Sequence, residues 1–147
     1  MNDSQIDDNE KILVSACLAG GLTRYDGTAK PCQKIIELVK QGKAIPVCPE
    51  LLAGLSVPRN PAEQKGDKVI TKDGEDVTLE FESGAAKVLE IAQKYNCKKA
   101  ILKSKSPSCG SGRVYDGTFS GKMTDGYGIL ADLLKRNGIE VIDENDI

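Results

Sequence analysis

The chain has 147 residues, with 20 Lys and Arg against 22 Asp and Glu, a length that suits one domain with a substantial core. Four of the acids (Asp3, Asp7, Asp8 and Glu10) stand in the first ten positions, and without them 18 acids face 20 bases, so charge gives no strong nucleic-acid or membrane signal. Histidine is absent, which excludes Ser–His–Asp catalysis, a histidine general base and the usual histidine zinc sites.

Residues 1–10 read as a disordered acidic leader and 11–147 as a single domain. There is no hydrophobic signal and no membrane-length run, which predicts a cytoplasmic protein with no membrane partner. Five cysteines, an odd number, argue against a disulfide framework. No feature specifies an oligomeric state.

In chain order, Lys11 to Ala16 is a short apolar run that ends in Cys17 and is broken by Gly20-Gly21, a strand followed by a loop. Pro31 suits the first turn of a helix on which Cys32, Ile35, Ile36 and Val39 share a face until Gly42. Ala44 to Val47 predicts a second strand, ending in Cys48-Pro49-Glu50. From Leu51 to Val77 the pattern weakens, and a hairpin turning at Asp73-Gly74 between Lys68–Ile70 and Val77 is expected. Thr78 can cap a helix running towards Asn96, with Ala85, Val88, Leu89, Ala92 and Tyr95 as its apolar stripe. Lys99 to Leu102 predicts a third strand. Tyr115 to Tyr127 is polar and glycine-rich, and a last helix starting near Asp125 carries Ile129, Leu130, Leu133 and Leu134 to Asn137-Gly138. Glu140 to Ile142 predicts the final strand. Strands separated by helices imply an α/β fold, with a mostly parallel open sheet covered on both faces in the Rossmann-like manner.

The third strand feeds Lys103 to Gly112, where Pro107, Gly110 and Gly112 shape a serine-rich turn around Cys109. Open parallel sheets place ligands at such strand ends. Lys98, Lys99, Lys103 and Lys105 form a basic cluster here, read first as a solvated strand edge and otherwise as an attractor of an anionic ligand. Cys17, Cys48 and Cys109 each follow an apolar run, at spacings far too long for a local metal clip. Strand ends share one edge of a parallel sheet, however, with neighbours about 4.8 Å apart, so the three thiols can converge. Three thiolates without imidazole suit an iron–sulfur cluster, and a four-iron cluster held by three cysteines keeps one iron open as a Lewis acid. On the residues alone three readings stay open: buried structural thiols, a cluster, and a zinc or cysteine-nucleophile site centred on Cys109. Cys97 reads as structural, and Cys32 as packing.

Several motifs, in order, add to this: Ser15-Ala-Cys17-Leu-Ala-Gly20, Arg24-Tyr-Asp-Gly27, Cys48-Pro-Glu50, Pro58-Arg59, Gly84-Ala85, Lys103-Ser104 with Ser106-Pro-Ser-Cys-Gly110, and Tyr115-Asp-Gly-Thr-Phe119. Together they resemble the thiouracil desulfidase family across almost the whole of Ile12 to Ile142. Thr23 departs from the cysteine that many relatives carry before the Arg-Tyr-Asp-Gly run, at no cost to a proposed ligand. The resemblance implies non-redox desulfuration of a small-molecule thiolated base, 2-thiouracil-like, at a [4Fe-4S] cluster. By motif it makes Cys17, Cys48 and Cys109 the ligands, Glu50 the catalytic acid–base group, and Ser106 or Ser108 the catalytic serine. Arg24, Tyr25, Asp26 and Arg59 are candidates for shaping the pocket or pairing with Glu50, and a structural role, such as a buried Arg–Asp pair bracing the loop, is equally open. The rivals are a non-catalytic cluster or metal carrier and a cysteine-nucleophile enzyme using Cys109.

Overall fold

Short aliphatic runs build the centre of the molecule. The computed structural model describes residues 11–147, so the predicted acidic leader lies outside the described residues. Strands β1 (Ile12–Ser15), β2 (Ala44–Val47), β5 (Lys99–Leu102) and β8 (Glu140–Asp143) form one parallel sheet in the order β2-β1-β5-β8. Alternate residues face opposite layers, as the pleat requires. Leu13, Ala100, Leu102 and Val141 pack with Val88, Leu130 and Leu134, while Ile12, Val14 and Ile101 pack with Leu18, Ile35 and Leu38. The first layer draws on α3 (Thr78–Lys94) and α4 (Ile129–Arg136), and the second on α1 (Gln33–Lys40). The sheet is thus covered on both faces, as the short unalternating runs predict. Among the described residues no helix is long and apolar enough to cross a membrane.

Two antiparallel hairpins lie outside this sheet. The first joins β3 (Ala62–Lys65) to β4 (Lys68–Thr71), and the second joins β6 (Ser111–Tyr115) to β7 (Met123–Tyr127). The expected turn at Asp73-Gly74 is present and closes on a single bridge between Ile70 and Asp76. The main partner of Lys68–Thr71 is instead Ala62–Lys65, whose AEQK sequence carries no apolar alternation to reveal it.

Three helix starts differ from expectation, each for a local reason. The N–H of Cys32 is held in extended conformation by Leu18 O at 2.8 Å, so α1 begins after it rather than at Pro31. The carboxylate of Asp76, not Thr78, accepts the free N–H of Thr78 at 2.9 Å, and the Thr78 hydroxyl accepts from Val69 N. Asp125 pairs with Arg113 in the second hairpin, which delays α4 to Ile129.

A short helix, α2 (Pro49–Leu52), follows β2 directly and packs against α3. The approach is close enough that a Cβ on Gly84 would stand 2.0 Å from the carbonyl oxygen of Pro49. Gly84→Ala is therefore expected to lower stability by about 3 kcal/mol, the upper end of overpacking costs, and the melting temperature by roughly 10 °C. A thermal melt that matches wild type would disprove this packing role.

Candidate active site

The carboxyl ends of three adjacent strands carry the three predicted cysteines to one place. Cys48 follows Val47 at the end of β2, in register with Ser15 of β1. Cys17 lies just beyond β1 in a single 3₁₀ turn, Ala16–Ala19. Cys109 sits in the 103–110 loop after β5. All three line one cavity of about 430 Å³, together with Glu50, Arg59, Arg24, Tyr25, Lys103 and Ser106.

Backbone docking explains how the 103–110 loop keeps Cys109 in place. Helix α4 has no side-chain cap, because Gly128 stands at its start, and its free N–H groups are taken by the loop. Ile129 N donates to Pro107 O at 2.9 Å, Leu130 N to Ser108 O at 2.8 Å, and Gly128 N to Gly110 O at 2.7 Å. A Cβ at residue 128 would meet the carbonyl carbon of Ser108 at 2.3 Å, so only glycine permits this approach. Inside the turn, Ser106 Oγ accepts from the N–H groups of Ser108 and Cys109, both at 3.1 Å. From below, Ser15 Oγ accepts from Lys103 N at 2.8 Å and hydrogen-bonds the Cys109 thiol.

The two candidate serines thus have different surroundings. Ser106 braces the turn and lines the cavity. Ser108, only 1% exposed, donates its hydroxyl to Glu50 Oε2 at 3.3 Å. The other carboxylate oxygen, Oε1, accepts from Arg59 Nε at 3.1 Å, and Arg59 also donates to Thr23 O and Ser56 O. Both partners of this ion pair are largely shielded, at 9% and 17% side-chain exposure, so their geometry is fixed. Arg59 pairs with Glu50 as expected. Arg24 and Tyr25 line the cavity, whereas Asp26 turns away to hold Thr28.

Burial governs the thiols. Desolvation pushes Cys17 up to about 11, with the Lys103 and Arg24 charges opposing and Cys48 adding to the rise. Cys48 is raised by desolvation, and Cys109 far more so, partly against its hydrogen bond from Ser15. Ionising Cys17 or Cys48 raises Cys109 further, so the three thiols are electrostatic neighbours. A thiol held protonated in this way is the reverse of an activated nucleophile, which disfavours the Cys109-nucleophile reading. Cys97 lies elsewhere in the core, 5% exposed and pushed up to about 11 by burial, and Cys32 packs beside the α1 layer.

These shifts fix the alkaline behaviour of the metal-free protein. Above the ordinary value of 9.0 the unfolded chain releases protons that the folded chain still holds on Cys17 and Cys97. Their contribution is complete below pH 9.0 and is lost as pH rises through about 11. Each thiol costs up to about 1.4 kcal/mol per pH unit in that window. The urea midpoint should fall between about pH 8 and about pH 10, and fall less in Cys97→Ala.

The basic cluster divides. β5 is an inner strand between β1 and β8, so it offers no solvated edge. Lys98 and Lys99 stand at its start, while Lys103 and Lys105 reach the cavity at its far end. Lys103 Nζ pairs with Glu144 Oε2 at 3.2 Å, and Glu144 also accepts from Ser104 N and Oγ. No sequence signal links residues this far apart, and the Glu144 contribution was not foreseen.

Among the described residues no three Cys, Asp or Glu side chains crowd close enough to hold a single metal ion. That finding argues against the zinc reading. Thiols arranged around a cavity, rather than around a point, fit a group of several atoms with soft, thiolate-seeking metals. Clustered thiols at the crevice of an open parallel sheet define a class, the α/β proteins with a ligand site at the strand ends. Residues 12–146 match the family described as 2-thiouracil desulfurase, and the chain belongs to that family. It is 49% identical over 146 residues to the protein of Bacillus subtilis (strain 168) named Uncharacterized protein YbbK, covering 92% of this chain and 97% of the relative. A solved structure, TudS, described as a [4Fe-4S]-dependent thiouracil desulfidase, superposes with a TM-score of 0.90 at 45% identity, covering 94% of this chain and 93% of that one.

Proposed function

We propose that this protein removes sulfur from a 2-thiouracil-like base, without net electron transfer, at a [4Fe-4S] cluster held by Cys17, Cys48 and Cys109. The observation that carries the reading is the meeting of those three strand-end thiols with Glu50 on one cavity, with the buried Ser108 behind it donating to the Glu50 carboxylate. When bound, such a cluster supplies an iron with a vacant position, a Lewis acid for a thiocarbonyl sulfur.

The chain's own residues supply the rest. The reaction adds water to the carbon bearing sulfur and releases hydrogen sulfide, so one C–S double bond becomes C–O. Glu50 accepts a proton from the attacking water and returns one to the departing sulfur. Arg59 and Ser108 each hold one oxygen of that carboxylate, which fixes its direction. Ser106 keeps the Cys109 turn closed on the cavity. Lys103, steadied by Glu144, adds positive charge to the cavity wall beside Cys17.

The test is anaerobic reconstitution with iron and sulfide, followed by 2-thiouracil. Uracil and sulfide in equal amounts are expected. Brown protein that binds the cluster and releases no sulfide would instead mark a carrier.

A further inference from the structure

We propose that Phe119 is a substrate-binding wall residue that packs against the flat face of the thiolated pyrimidine, and that Glu63 is the positioning residue that holds it there. This rests on the desulfidase reading of the cavity.

Aromatic side chains are scarce in this chain, four Tyr and two Phe, and three of the six (Tyr25, Tyr115 and Phe119) line the cavity. The other phenylalanine, Phe81, is buried in a separate core cluster. A planar heterocycle is recognised by planar side chains, and aromatic stacking tolerates any base because each has a π-face.

Phe119 stands apart from the two tyrosines in its backbone. Its φ is +55°, and among the described residues only Asn96 and Lys105 share a left-handed backbone without being glycine. Asparagine tolerates that conformation, whereas a bulky aromatic does not. Lys105 also lines the cavity, so both unfavourable cases lie on its wall. Left-handed backbone at a bulky residue persists only where its surroundings impose it, and it gathers at ligand sites. A turn serving structure alone would put glycine or asparagine at 119.

The imposing group comes from the other hairpin. Glu63, on β3, accepts from Gly117 N at 3.0 Å and from Phe119 N at 3.2 Å through the same oxygen. One carboxylate thus clamps both ends of the bend that presents Phe119. A second tie, from Gln64 Nε2 to Tyr127 O at 2.9 Å, joins the same two hairpins. The hairpins outside the sheet therefore form one wall of the cavity, opposite in origin to the cysteines at the strand ends.

The experiment uses cluster-loaded full-length protein, with steady-state turnover of 2-thiouracil and calorimetric binding of uracil. Phe119→Ala should raise KM and weaken uracil binding about tenfold, within the range of base–aromatic stacking, with kcat within about twofold of wild type. Phe119→Tyr should restore both constants. Glu63 itself lines the cavity, but its Oε1 is engaged by Gly117 N and Phe119 N, so Glu63→Ala should copy Phe119→Ala and the double variant should add nothing further. Glu63→Gln, which keeps an acceptor oxygen, should rescue most of the loss. The cluster absorbance should be unchanged throughout. Unchanged KM and binding in Phe119→Ala, or multiplicative losses in the double variant, would overturn the proposal while leaving the desulfidase reading intact. Wild-type protein that binds uracil, weakens tenfold in Phe119→Ala and yet releases no sulfide would keep the wall residue and reject desulfuration. Wild-type protein that binds neither base would reject both.

Discussion

Replacing Cys17, Cys48 or Cys109 by alanine should, in each case, bring sulfide release from 2-thiouracil down to the rate of cluster-free protein. The three variants should also lose the visible thiolate-to-iron absorption together. Their equivalence follows from topology, since each thiol comes from a different one of three neighbouring strands and no fourth cysteine lines the cavity to replace it. Cys97→Ala and Cys32→Ala should keep both the colour and the activity, because neither thiol lines the cavity. Activity in metal-free protein that disappears only in the Cys109 variant would refute the cluster and favour a nucleophilic thiol. The apo forms should remain folded, because each change removes only one small buried side chain, at a cost of about 1 kcal/mol.

Glu50→Gln is expected to lower turnover by about 10²- to 10⁴-fold with the cluster spectrum unaltered, the usual range for losing a positioned acid–base group. Glutamine keeps the shape of the side chain, so the experiment separates proton transfer from packing. Its neighbours limit the structural damage. Arg59 retains its bonds to the carbonyl oxygens of Thr23 and Ser56 when the carboxylate charge goes. The stability lost should then be about 1–3 kcal/mol, that of one hydrogen bond to a charged group. Turnover within about threefold of wild type would show that Glu50 merely fastens α2 to Arg59.

Much of this architecture was legible in the residues, and what escaped did so for physical reasons. The inner strands β1 and β5 are aliphatic runs buried on both faces, and α3 and α4 carry regular apolar stripes, so burial itself wrote the pattern. Cys17, Cys48 and Cys109 could be placed on one edge because parallel strands end together. The hairpins were harder to see. AEQK and MTDGY have no alternation, since each hairpin is half-exposed and held by main-chain bonds and by Glu63. The different partners of Ser106 and Ser108 were not legible either, because two hydroxyls two residues apart in a tight turn point in different directions. Whether the lysines flank an inner strand or an edge strand was not legible, because the two look alike when the charged residues flank the run rather than interrupt it.

The docking of the 103–110 loop onto the start of α4 bears on how the protein matures. That loop is held by residues 128–130, and its neighbour Ser104 is held by Glu144, close to the end of the chain. The 103–110 loop therefore gains its fixed shape only when residues 128–130 and Glu144, which follow it in the chain, are also in place. Cys109 can thus be set in position only by a polypeptide that has already folded through α4 and Glu144.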